Sequence, residues 1–87
     1  MITKSIKVMN ENGLHARPAA ELCRVTSQFN AEVVIKNDDM EVNGKSVMGV
    51  MMLAAEFGTE LTFSLNGDDE QEAWVKIVEL FEKNFHE

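Results

Sequence analysis

A histidine, an arginine and a proline lie close together in the stretch Asn12-Gly13-Leu14-His15-Ala16-Arg17-Pro18-Ala19-Ala20. Neutral imidazole is a good nucleophile near pH 7, because its ordinary pKa is about 6.5. Pro18 has a fixed φ and no N–H, so it suits the first turn of a helix and fits poorly further in. That predicts a helix starting near Ala16, with His15 at or just before its cap. The first amides of a helix lack internal acceptors, and the aligned peptide dipoles make that end positive. A phosphate carried on the His15 ring would lie against those amides. Arg17 adds a planar guanidinium able to grip two phosphate oxygens at once. Gly13 supplies the bend that leads in. The chemistry this predicts is attack by the ring on a phosphoryl group, with the helix end and Arg17 steadying the product.

A second stretch, Lys45-Ser46-Val47-Met48-Gly49-Val50-Met51-Met52-Leu53, follows the turn residues Asn43-Gly44. Ser46 is a good N-cap for a short helix. That helix is apolar nearly all round, and a chain this small cannot bury every side of it. Val47, Met48, Met51 and Met52 are therefore expected to remain partly exposed, and exposed methionines make an adaptable contact patch. A phosphoryl group on Ser46 would add about −1.5 to −2 charges. At a helix cap that charge is tolerated. At the rim of an apolar docking patch it would weaken association, so a switch here needs no refolding.

The elements that position these residues follow from periodicity. Ile2, Lys4, Ile6 and Val8 share one phase of a two-residue repeat, which predicts a half-buried strand with Lys4 near an end. From Ala16 to Phe29 the period becomes helical, with Ala19, Leu22, Cys23, Thr26 and Phe29 on the buried side and Asn30 as terminator. Arg17, Ala20, Glu21, Arg24 and Gln28 form the solvent side. Cys23, inside the apolar stripe, reads as an inert core thiol. Glu32 to Lys36 and Met40 to Asn43 read as strands joined by the turn Asn37-Asp38-Asp39. Leu61, Phe63 and Leu65 alternate with Thr62 and Ser64, the clearest strand in the chain. Asp68 and Gln71 have capping-box spacing, and Asp69, Glu70 and Glu72 load the first turn of a last helix. Ala73, Trp74, Ile77, Val78, Phe81 and Phe85 carry its apolar stripe to the end of the chain, with Trp74 as a core anchor. His86, close to the terminus, is given no role. The order β-α-β-β-α-β-α predicts an α+β sandwich, one sheet covered on one face by helices.

Composition limits the function classes. The chain has 87 residues, enough for one domain over 1–87 with a thin core and no deep cleft. Its formal charge is −7. That argues against nucleic acid and anionic membranes and leaves protein partners open. The single cysteine permits no internal disulfide and predicts a reducing compartment. Met1 to Val8 has no apolar signal-peptide core, and no apolar run approaches the ~18 residues of a membrane span. A cytoplasmic location is expected. No cofactor or metal is expected: His15, Cys23 and His86 fit no familiar zinc spacing. No nucleophile–base–orienter set for an independent hydrolase is visible.

The residues from Asn12 to Ala19 resemble the active-site signature of HPr, the histidine-containing phosphocarrier family of the bacterial sugar phosphotransferase system. Asn43 to Met51 resemble that family's regulatory serine signature, and the resemblance covers essentially the whole chain. It implies an open-faced β-sandwich, a four-stranded antiparallel sheet covered on one face by three helices. It implies that His15 takes a phosphoryl group at Nδ1 from the phosphoenolpyruvate-charged first enzyme of the system. The group then passes to the phosphoacceptor domain of a sugar-specific permease. Arg17 would neutralise phosphate charge and Pro18 would shape the helix start. An ATP-using serine kinase/phosphorylase would act on Ser46, and a transcriptional regulator is a further implied partner. Ala20, Arg24, Val47, Met48, Met51 and Met52 would form the docking face. Met52 and Ala54 stand where many relatives carry serine and glycine, which implies a bulkier patch and a stiffer turn. The alternative is a regulatory-only or nitrogen-branch module in which sugar transport is not the main role.

Overall fold

Strand alternation decides which face of the sheet is covered. The computed structural model describes residues 1–86. In chain order it holds β1 (Ile2–Lys7), α1 (Ala16–Thr26), β2 (Glu32–Asn37), β3 (Met40–Asn43), α2 (Val47–Met52), β4 (Glu60–Asn66) and α3 (Glu70–Glu82), then a 3-10 turn at Asn84–His86. The strands form one four-stranded sheet in the order β1-β4-β2-β3, and every neighbouring pair is antiparallel. Ile6 pairs with Leu61, Ile35 with Phe63 and Val33 with Leu65. Directly opposed residues share a face, and this face lies under the helices, with Ile35, Leu61, Phe63 and Leu65 fully buried. The other face carries Thr3, Ser5, Thr62 and Ser64; the hydroxyls of Ser5 and Thr62 approach to 3.4 Å. Lys4 opposes Phe63 on the covered side but remains exposed, because β1 is an edge strand.

The core joins this face to Leu22 of α1, Val50 of α2 and Ile77 of α3, all fully buried. Phe63 meets Trp74 at 5.7 Å and Phe81 edge-on at 5.8 Å between ring centroids. Phe81 in turn meets Phe85 at 4.7 Å. Such offset pairs add to area burial by about 0.5–1.5 kcal/mol each. No helix among the described residues is long and apolar enough to cross a membrane.

Three boundaries differ from the periodic reading. Helix α1 ends at Thr26, not Phe29, and Asn30 is not its terminator. Thr26 Oγ1 donates to the carbonyl of Gly44 at 2.8 Å, which ties the end of α1 to the β3–α2 turn; Phe29 is half-buried beyond it. The capping box at Asp68 does not form. Asp69 is the N-cap of α3, and its carboxylate accepts the amides of Asn30 and Ala31 at 2.8 and 2.9 Å, not an amide of its own helix. Glu70 reaches back to the amide of Gly67 at 3.0 Å. Finally, α3 stops at Glu82, and Asn84, Phe85 and His86 all have positive φ. Phe85 is buried as its spacing predicts, yet it arrives there from a turn.

Candidate functional site

His15 is the N-cap of α1, with extended backbone (φ −78°, ψ −168°). Its carbonyl accepts the amide of Ala19 at 3.0 Å, which starts the helix. The side chain is exposed and makes no capping bond to its own helix. Ala16 and Arg17 are the first two helical residues, and their amides have no acceptor among the described residues. The third residue, Pro18, is buried and has no N–H to donate. The helix start therefore offers two backbone donors beside the imidazole, within the positive end of the dipole. Arg17 is exposed on the same turn.

The loop that delivers His15 is held from both sides. Asn10 is buried, and its Nδ2 donates to the carbonyl of Gly13 at 2.6 Å, while the amide of Gly13 donates back to the carbonyl of Asn10 at 3.1 Å. The amide of Leu14 donates to the carbonyl of Ala55 at 2.8 Å. Gly13 has φ +71°, and a Cβ there would stand 2.4 Å from the Ala55 carbonyl oxygen. Glycine is thus required at position 13 by both conformation and space. His15 shares a depression of about 250 Å³ with Asn12, Leu14, Met51, Ala54, Ala55 and Glu56.

Ser46 stands at the other end of α2. It is the N-cap, and its Oγ accepts the amide of Gly49 at 3.1 Å. Only Val50 of α2 is buried. Met48 and Met52 are 75% and 64% exposed, and Met51 and Val47 are 41% and 37% exposed. Helix α2 packs against α1, whose outer side carries Arg17, Ala20 and Arg24, all exposed. Arg24 pairs with Glu21 at 3.0 Å, and that hydrogen bond holds the Glu21 carboxyl below its usual range. Both side chains reach solvent, so the pair adds little stability.

Cys23 is buried in the core, where burial raises its thiol pKa and leaves it inert. Among the described residues no group of three or more His, Cys, Asp or Glu is arranged to hold a metal. Four features carry no marked signal in the sequence: the buried Asn10, the carbonyl of Ala55, the side chain of Asn37, and the exposure of Met9 and Phe57 on loops joined by the Gly58 amide to the Val8 carbonyl. Asn10 and Asn37 look like ordinary turn residues. Only their partners in space reveal what they do.

The family described as "PTS HPr component phosphorylation site" matches residues 2–83 of this chain. The chain belongs to the HPr family. HPr proteins are phosphocarriers of the phosphotransferase system, not enzymes. The phosphocarrier protein HPr of Treponema pallidum is 41% identical over 87 residues, which is 100% of this chain and 99% of that protein. The HPr-like protein Crh of Bacillus subtilis is 42% identical over 78 residues, covering 90% of this chain and 92% of Crh. The crystal structure of HPr-C-His from Thermoanaerobacter tengcongensis superposes with a TM-score of 0.95 at 40% identity, covering 100% of this chain and 98% of that one. The open four-stranded sheet under three helices is the HPr fold.

Proposed function

We propose that this chain, as one HPr-like domain over 1–87, is a cytoplasmic relay carrying its phosphoryl group on His15. The observation that supports this is the exposed imidazole at the start of α1, next to two amides without acceptors among the described residues. The Nδ1 lone pair attacks phosphorus presented by the first enzyme of the system, and the bond from phosphorus to that enzyme breaks. Arg17 and the amides of Ala16 and Arg17 bind the phosphoryl oxygens, and Pro18 sets the helix start. Transfer onward to the phosphoacceptor domain of a sugar-specific permease reverses these steps. The partners complete the catalytic sites, so the carrier's share is positioning and charge.

The docking face in this reading comprises Ala20, Arg24, Val47, Met48, Met51 and Met52 around His15. Ser46 is the regulatory site, modified by a serine kinase/phosphorylase. Its phosphate sits at the cap of α2 without unfolding it and weakens association by charge. Labelling from phosphoenolpyruvate with purified first enzyme tests the relay. Acid-labile label in the natural chain and none in His15→Ala is the expected result. Acid-labile label that persists in His15→Ala overturns it.

A regulatory role read by a transcriptional regulator is the second reading. It is supported by the likeness to Crh, the catabolite repression HPr of Bacillus subtilis, and by the ordered cap at Ser46. Binding to such a regulator should then differ between the kinase-treated and untreated protein. Equal binding in both states counts against it.

A further inference from the structure

The loop carrying His15 is bonded to Ala55, and a side chain from the far end of the β2–β3 hairpin is bonded to Leu53, two residues before it. The Leu14 amide donates to the Ala55 carbonyl at 2.8 Å. Just before Ala55, Ala54 has φ +50°, in the left-handed region that costs an alanine about 1–2 kcal/mol. Such a conformation persists only where its surroundings enforce it. On its N-terminal side, Leu53 is the C-cap of α2, and the last carbonyls of a helix lack internal donors. The carbonyl of Leu53 accepts from Nδ2 of Asn37 at 3.0 Å. Only the amide nitrogen can make this contact, because a carbonyl cannot donate. Asn37 is half-buried, the last residue of β2, and opposes Met40 of β3.

We propose that Asn37 is a positioning residue for His15. Its amide fixes Leu53, Leu53 fixes the strained turn at Ala54, and Ala55 then presents the carbonyl on which Leu14 and the helix start are hung. The inference rests on His15 as phosphoryl acceptor for its functional consequence. The structural part, from Asn37 to Leu14, stands without it.

The test substitutes Asn37→Asp, which keeps shape but removes the donor at neutral pH, and Asn37→Ala, which removes the side chain. Amide hydrogen exchange is followed together with the rate of His15 labelling by the first enzyme. The expected result in both variants is exchange at Leu14 faster by about fivefold, the loss of one ordinary hydrogen bond. Exchange in the β1–β4 ladder should be unchanged. Labelling at low carrier concentration should slow by a similar factor. Acidification should protonate the introduced carboxylate of Asn37→Asp, restore a donor and slow Leu14 exchange again relative to Asn37→Ala. Asp69→Asn, which loosens the α1–β2 connection instead, should leave Leu14 exchange and labelling unaltered. Unchanged Leu14 exchange in both Asn37 variants overturns the proposal. So does slower labelling matched by Asp69→Asn, since that is general loosening. Absence of label on the natural chain would defeat the relay reading alone, because the exchange measurement needs no phosphate.

Discussion

Ser46 Oγ accepts the amide of Gly49 at 3.1 Å, so the hydroxyl proposed for modification is also the cap of α2. Ser46→Ala should therefore lower stability by about 0.5–2 kcal/mol. Ser46→Asp should retain most of that, since a carboxylate caps well and suits the dipole. Urea melts of the two variants check this. If the proposed switch acts on association, calorimetry with the first enzyme should show weaker binding for Ser46→Asp and near-normal binding for Ser46→Ala.

Arg17→Lys keeps the charge and loses the fork. The bidentate contact proposed with phosphoryl oxygens would be replaced by a single point charge. Transfer to His15 should slow on the order of tenfold, the scale of one charged hydrogen bond. Rapid-quench labelling measures it, and the melting temperature should barely change, because Arg17 is exposed.

Ala54→Gly should stabilise the protein. The left-handed backbone at φ +50° costs alanine about 1–2 kcal/mol, and glycine gives back about 0.5–1 kcal/mol through its freer unfolded chain. The net gain is about 0 to 1.5 kcal/mol, visible as a higher urea midpoint with unchanged slope.

Acid should weaken the fold in a defined direction. The amide of Asn30, then that of Ala31, holds the Asp69 carboxyl below its ordinary value of 3.8. The amide of Gly67 does the same for Glu70. The unfolded chain takes up these protons first as pH falls. The stabilisation is therefore complete above the ordinary carboxylate range and is lost as pH drops through the lowered folded values. Urea midpoints measured from about pH 6 down to about pH 3 should fall more steeply for the natural chain than for Asp69→Asn.

Cys23 should resist alkylation in the native state and react in denaturant. Its thiol is buried, 3.7 Å from the carbonyl of Gly44, and burial holds it protonated. Labelling at native rates equal to those of the unfolded chain would place it elsewhere.

The local geometry of the candidate site was readable where its logic is short-range. Gly13, His15, Arg17 and Pro18 lie close together in the chain, and helix-start rules act over that distance. Ser46 and its exposed methionines obey the same short-range logic, and alternation located β4. Long-range competition defeated the rest. Asp69 has an acidic cap's spacing, but two amides of the α1–β2 connection claim its carboxylate. Helix α1 continues its apolar period past Thr26, yet Thr26 is anchored to Gly44 across 18 positions of chain. Asn37 reads as a turn residue because its partner is 16 positions away. Periodicity reports that Phe85 is buried and says nothing of the positive φ that takes it there.

If His15 carries a phosphoryl group as proposed, Pro18 has a consequence for how long that cargo stays. An ordinary residue at that place would give the helix mouth a further amide and a deeper hold on the dianion. Proline withholds it, so the grip is shallow on the protein's own side. A shallow grip suits a shuttle, whose passenger must leave as readily as it boards, and leaves room for the next acceptor to supply the missing contacts.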